Sequence, residues 1–163
     1  MTVSNAAYLR QHYNLVKALG DKSVSSDAQF VIDGYDHLRL LTKQFPWPVT
    51  TSGGEIEIPA PLGMVIYQPQ QIKIAQQGQV QFHETRRGDM QTFMESIVGI
   101  GGRFNATVYE GTVDKYQRAC NIVDCFLQLE NPDRDWENRS QITAISGTLF
   151  FHYFGETKPG NAP

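Results

Sequence analysis

The sequence predicts a mainly β fold: an antiparallel sandwich or small barrel with one short packed helix, an N-terminal helix and a long protruding hairpin loop. Three observations point to it. Residues 72–85 alternate, with Ile72, Ile74, Val80 and Phe82 on one parity and Lys73, Gln77, Gln79, Gln81 and His83 on the other, which is the period of a half-buried strand. Runs at 104–110, 119–130 and 141–154 hold β-branched and aromatic residues between clusters of Gly, Asn, Asp and Pro. Only two stretches carry the three-and-four spacing of a helix.

With 163 residues, 40% of them hydrophobic and 19% charged, the chain is long enough to bury one core, and a single domain over residues 1–163 is expected. Residues 4–19 place Leu9, Tyr13, Val16 and Leu19 on one helical stripe, with Ser4 as the N-cap and Gly20 as the stop. A polar stretch at 23–27 follows, so residues 1–27 read as helix and linker. Phe30, Val31 and Ile32 open a strand that ends or bulges at Asp33-Gly34. A second strand is expected over 35–45, with His37, Arg39, Leu41 and Lys43 on one face and Leu38, Leu40 and Thr42 on the other.

Residues 46–69 then contain Pro46, Pro48, Gly53, Gly54, Pro59, Pro61, Gly63 and Pro69, too many breakers for a core element. Trp47, Ile56, Ile58, Leu62, Met64, Val65, Ile66 and Tyr67 are interspersed with them. A long loop or hairpin with that much apolar surface is expected to touch a partner. In the alternating run that follows, Gln76-Gln77-Gly78-Gln79 could instead form a turn. Residues 89–98 carry a second helical stripe, Met90, Phe93, Met94, Ile97 and Val98, with Asp89 as N-cap and Gly99, Gly101 and Gly102 as the stop. The last run turns apolar on both parities, as a central strand does. Residues 155–163 read as a flexible polar tail.

Fourteen basic against 17 acidic residues give a net charge of -3, which supplies no electrostatic grip on nucleic acid or on an anionic membrane. No apolar run approaches the roughly 18–20 residues of a membrane helix. The start Met1-Thr2-Val3-Ser4-Asn5 has neither the basic nor the apolar region of an export signal, so a soluble, unexported protein is expected. Cys120 and Cys125 are five apart in a strand, which sends them to opposite faces as reduced apolar fillers.

Catalytic chemistry lacks its usual signatures. Gly99-Ile100-Gly101-Gly102 follows a helix, whereas phosphate-binding loops follow a strand and open a helix. His12, His37, His83 and His152 are scattered without ligand spacing, and Asp133, Asp135 and Glu137 lack the glycine and closing glutamate of a calcium loop. Ser146-Gly147 lacks the preceding glycine of a nucleophile elbow. No catalytic residue, cofactor or metal ligand is expected, and an enzyme is not.

The order of features, a long aromatic- and Pro-containing hairpin, a Gln-rich alternating strand, a capped helix and the final strand from Ser146 to Phe154, resembles the tail tube proteins of contractile-tailed bacteriophages. Tube proteins of type VI secretion and related contractile injection systems share it. The resemblance implies a structural virion protein, assembled in the host cytoplasm, that forms stacked hexameric rings of an inner tail tube used for genome ejection. Its implied partners are copies of itself, the sheath protein, a tape-measure protein, and baseplate and tail terminator proteins, with DNA passing without stable binding and no stable membrane contact. Six subunits of -3 would put -18 on each ring, consistent with a lumen that does not hold phosphate.

Within that reading Gln77, Gln79, Gln81 and Lys73 are the lumen-lining candidates, and Trp47, Ile56, Ile58 and Leu62 are the ring-stacking candidates. Lys73, Lys43 and Arg39 would drag on DNA if they pointed inward unpaired. Trp47 has the alternative of packing at the hairpin base, and the glutamines of facing ordinary solvent. The competing functions are a monomeric ligand-binding β-barrel, with Met64 to Tyr67 and Phe150 to Phe154 lining a pocket, and a tube-initiator or secretion-system tube subunit.

Overall fold

The computed structural model of the chain describes residues 5–162. Six strands form the path β1-β6-β7-β8-β5-β2, every neighbouring pair antiparallel: β1 (Gln29–Ile32), β2 (Thr42–Gln44), β5 (Ala75–His83), β6 (Phe104–Gly111), β7 (Tyr116–Leu129) and β8 (Ala144–His152). β9 (Thr157–Pro159) adds to β7, and β3 (Glu55–Pro59) and β4 (Val65–Pro69) form a separate two-stranded sheet. The long path curls into a nearly closed barrel. Its two ends are linked by a 3-10 helix, Asp36–Leu40, and the ring of Phe30 in β1 meets that of Phe45 just beyond β2 at 5.7 Å.

The core lies inside this curl, where Phe30, Ile32, Val80, Phe82, Val108, Ile122 and Leu149 are fully enclosed. The helix α2 (Asp89–Gly99) plugs it with Met90, Phe93 and Ile97. Phe93 packs edge-on against Tyr35 and Phe104, at 4.8 and 5.8 Å. The expected stripe is thus real at three positions, with Met94 partly buried against the core, but Val98 turns to solvent. The cap also differs. Gly88, in the left-handed region, precedes the helix, and the Glu84 carboxylate accepts from the Met90 and Gln91 N–H groups, so the acid that satisfies the free donors comes from the end of β5.

Several sequence expectations need correction. The 35–45 segment is not one strand: it makes the 3-10 helix, which buries Leu38, followed by three residues of β2. Thr42 Oγ1 donates to the Leu38 carbonyl at 3.0 Å, closing that turn. The 72–85 strand starts only at Ala75; Ile72 is exposed and bridges Ser52, and the turn alternative at 76–79 gives way to regular pairing with β8. Cys120 and Cys125 do not face opposite ways. Asp124 has φ +49°, and the pairing slips there by one residue, a bulge that resets the alternation and sends both thiols into the core. Burial pushes the Cys125 thiol up to about 12 and raises Cys120 as well, so both are neutral thiols at physiological pH.

The segment 155–163, expected as a flexible tail, instead carries β9. Asn161 ties it further, its side chain accepting from the Tyr116 N–H at 2.9 Å and donating to the Asp114 carbonyl at 2.9 Å. A Cβ on Gly160 would lie 2.1 Å from the Gln117 carbonyl oxygen, so this close approach requires glycine. At the other terminus, α1 (Ala6–Ala18) starts from Asn5, whose Oδ1 accepts from the Tyr8 N–H at 3.0 Å. Ser4, the expected cap, lies outside the described residues, as does the start Met1-Thr2-Val3.

Candidate functional site

Two surfaces stand out once the core is accounted for. The first is the β3–β4 hairpin. Its strands pair from Glu55↔Pro69 to Pro59↔Val65, and its base continues as Gly53 N–H to Gln71 O and Lys73 N–H to Thr51 O, at 2.8 and 2.9 Å. Every residue of both strands is exposed. The pairing puts Ile56, Ile58 and Ile66 on one face, and Glu55, Glu57, Val65 and Tyr67 on the other. An isolated two-stranded hairpin is marginal in water, yet this one presents apolar side chains on both faces.

Its tip is Pro61–Gly63, where Leu62 sits at φ +62° and is 106% exposed. The left-handed conformation costs an ordinary residue roughly 1–2 kcal/mol, and glycine would adopt it freely. A leucine held there, touching nothing, gains nothing within the lone subunit to offset that strain.

Trp47 does not share this surface. Phe45 and Trp47 pack against the core, and Pro46 lies over Gly78, where an added Cβ would come within 2.3 Å of the proline ring. The buried Gln76 amide accepts from the Val49 N–H at 3.3 Å and donates to the Val49 carbonyl at 2.7 Å, fastening the segment to β5. Of the four stacking candidates, Ile56, Ile58 and Leu62 therefore stand on the one hairpin, the two isoleucines on a shared face of β3 and Leu62 at the tip, while Trp47 stays at the base.

The second surface is the outer face of β2, β5, β8 and the second half of β7. Gln79 pairs with Thr148, Gln81 with Ser146, and Thr148 in turn with Gln128, so these side chains share one face across three strands. All are uncharged. Gln77 pairs with Phe150, whose ring stacks on Phe126 at 4.8 Å and 12°. Of the lumen candidates, Gln77, Gln79 and Gln81 stand together here, whereas Lys73 lies before the strand begins, exposed, beside Thr51.

A cleft of about 630 Å³ lies between the linker residues Ser23–Ala28 and Lys43, Phe45, Trp47, Glu110 and Arg118. Glu110 and Arg118 form an ion pair on its wall; the guanidinium bond holds the Glu110 carboxyl below its usual range. Met64 to Tyr67 stand on the exposed hairpin and Phe151 and Tyr153 lie in the core, so the pocket imagined for a ligand-binding barrel is not formed by these segments. Among the described residues no group of three His, Cys, Asp or Glu is placed to hold a metal ion, and no helix is long and apolar enough to cross a membrane.

Sequence reasoning missed one apolar surface. The amphipathic stripe of α1 is legible in the sequence, but not that the helix buries none of its residues and leaves that stripe exposed.

No family model and no curated protein sequence matches the chain. Solved structures do match in shape. A chain of the sheath-tube complex of an extracellular contractile injection system, PVC, in the extended state aligns with a TM-score of 0.58 at 10% identity, covering 96% of this chain and 99% of its own. A chain of the anti-feeding prophage baseplate aligns at 0.56 and 8% identity, covering 85% and 95%. A chain of the anti-feeding prophage tube-terminating cap aligns at 0.53 and 12% identity, covering 87% and 96%. The fold is therefore tail-tube-like, and it is shared with components of contractile injection systems.

Proposed function

We propose that this protein is a structural subunit of the inner tube of a contractile, phage-tail-like particle. Copies join into hexameric rings, the rings stack, and the resulting conduit lies inside a sheath between a baseplate and a terminator. The hairpin carries this reading: it projects apolar side chains on both faces and a strained, fully exposed Leu62 at its tip. Such a device gains stability only against another molecule. The likeness to chains of sheath-tube, cap and baseplate assemblies supports the same class of role.

The glutamine-rich face of Gln77, Gln79, Gln81, Ser146, Thr148 and Gln128, with the Glu130 carboxylate beside it, is the proposed lumen wall. These six side chains carry no cation, and Arg134, which borders them beside Gln81 and Ser146, stands among Glu130, Asp133 and Asp135, so a passing polyanion such as a genome, or a tape-measure protein before it, meets hydrogen-bonding groups and little counterion-release affinity. Ile56, Ile58 and Leu62 are the proposed ring-stacking contacts. In a phage these rings would form part of the virion.

A tube-initiator or cap role uses the same fold, and the cap and baseplate neighbours favour keeping it as a second reading. Sedimentation velocity separates the possibilities. The tube subunit gives a species of about six chains and, with rising concentration, heavier stacks; an initiator stops at one ring. A single one-chain species at every concentration would contradict both and favour the ligand-binding barrel.

A further inference from the structure

We propose that α1 of one subunit docks on the β3–β4 hairpin of a neighbouring copy. The inference rests on the assembly reading above and names a contact within it. Tyr8, Leu9, Tyr13, Leu15, Val16 and Leu19 are between 51% and 79% exposed, and α1 buries nothing. At 100° per residue these six fall within one broad arc, with Arg10 and Lys17 along the rim next to Tyr13. Lys17 Nζ in fact lies 5.9 Å over the Tyr13 ring. A lone 13-residue helix is marginal in water, so a helix of this kind needs a surface to lie on.

The hairpin has complementary chemistry. Between residues 54 and 72 its only charges are Glu55 and Glu57, while residues 5 to 20 hold Arg10 and Lys17 and no acid. Glu55 and Glu57 share a face with Val65 and Tyr67, so carboxylates and apolar side chains stand side by side, as the basic rim and apolar arc do on α1. Dimensions agree as well: a 13-residue helix is about 20 Å long and a five-residue strand about 17 Å. Two elements, each marginal alone, thereby stabilise one another.

The patches differ, so the contact is head-to-tail and propagates from copy to copy. It leaves Ile56, Ile58 and Ile66, on the opposite hairpin face, free for another neighbour.

Charge reversal with rescue is the test, made on the full chain and read by sedimentation. Arg10→Glu/Lys17→Glu and Glu55→Lys/Glu57→Lys should each raise the concentration needed for assembly at least about tenfold. The four-fold variant carrying both reversals should recover most of that loss. A Tyr13→Cys/Tyr67→Cys chain, oxidised in the assembled state, should give a ladder of intermolecular disulfide species. The contact is overturned if reversed α1 assembles like the parent, if the combined variant shows no rescue, or if the disulfide forms only within single chains. A parent chain that never assembles overturns both this contact and the tube reading, whereas normal assembly by the α1 reversal overturns this contact alone.

Discussion

Replacing Leu62 with aspartate is expected to leave the subunit folded and to abolish ring stacking. Leu62 touches nothing within the chain at its 106% exposure, so its loss removes no intramolecular packing. Burying one leucine on a partner contributes about 1.5–3 kcal/mol, and in a six-fold ring the contact recurs at every subunit. Each ring-ring junction would then lose roughly 9–18 kcal/mol of apolar burial, besides having to desolvate the introduced carboxylates. Leu62→Gly separates contact from strain: it relieves the left-handed backbone, so the subunit should melt at or slightly above the parent temperature while stacking fails. Tubes of normal length from either variant would remove the role given to this tip.

The largest effect on the subunit itself is expected from Gly147→Ala. Gly147 lies in β8 between Val80 of β5 and Leu129 of β7. A Cβ there would sit 2.2 Å from the Gln128 carbonyl oxygen and 2.7 Å from the Leu129 Cα. Both are backbone atoms of the neighbouring strand, so no side-chain rotation relieves the clash, and β7 must separate from β8 at the seam that carries the core. A loss of about 3 kcal/mol follows, or roughly 6–12 °C in melting temperature for a chain of this size. Gly99→Ala is the control: nothing lies within 4 Å of its Cβ, at the end of α2, and alanine favours helix. Equal melting of the two variants would contradict the close β7–β8 approach.

The parts legible in the sequence were those where one period dominated. The alternation around Val80 and Phe82 gave β5 and its glutamine face, and the stripe Met90, Phe93, Ile97 gave α2, because side-chain burial follows backbone geometry directly in both. The segment 35–45 was ambiguous: Leu38, Leu40 and Leu41 satisfy a strand's alternation poorly and a tight turn equally well, and the contact of Leu38 with the core decided it. The bulge at Asp124 left no mark, since Asp in the left-handed region is set by the Asn105 side chain accepting from its N–H at 3.1 Å, a tertiary bond. β9 was equally hidden, because Thr157, Lys158 and Pro159 carry no strand pattern and are held by pairing with Arg118, Ala119 and Cys120.

The hairpin was visible as an apolar loop between breakers, but its division was not. Prolines 46 and 48 and prolines 59 and 61 look alike in sequence. Only the first pair is folded back, with Pro46 over Gly78 and Pro48 buried, while the second stands at the projecting end. Trp47 follows the first pair for that reason. Parity groups Lys73 with the glutamines, but the strand starts two residues later at Ala75, and the Lys73 N–H bonds to the Thr51 carbonyl at the hairpin base instead.

The most direct test is negative-stain imaging of the purified full chain over a range of concentrations. If the borders of this subunit are completed by copies of itself, the images show six-fold rings with an open centre and, at higher concentration, hollow stacks of them. A field of single small particles at every concentration would contradict it.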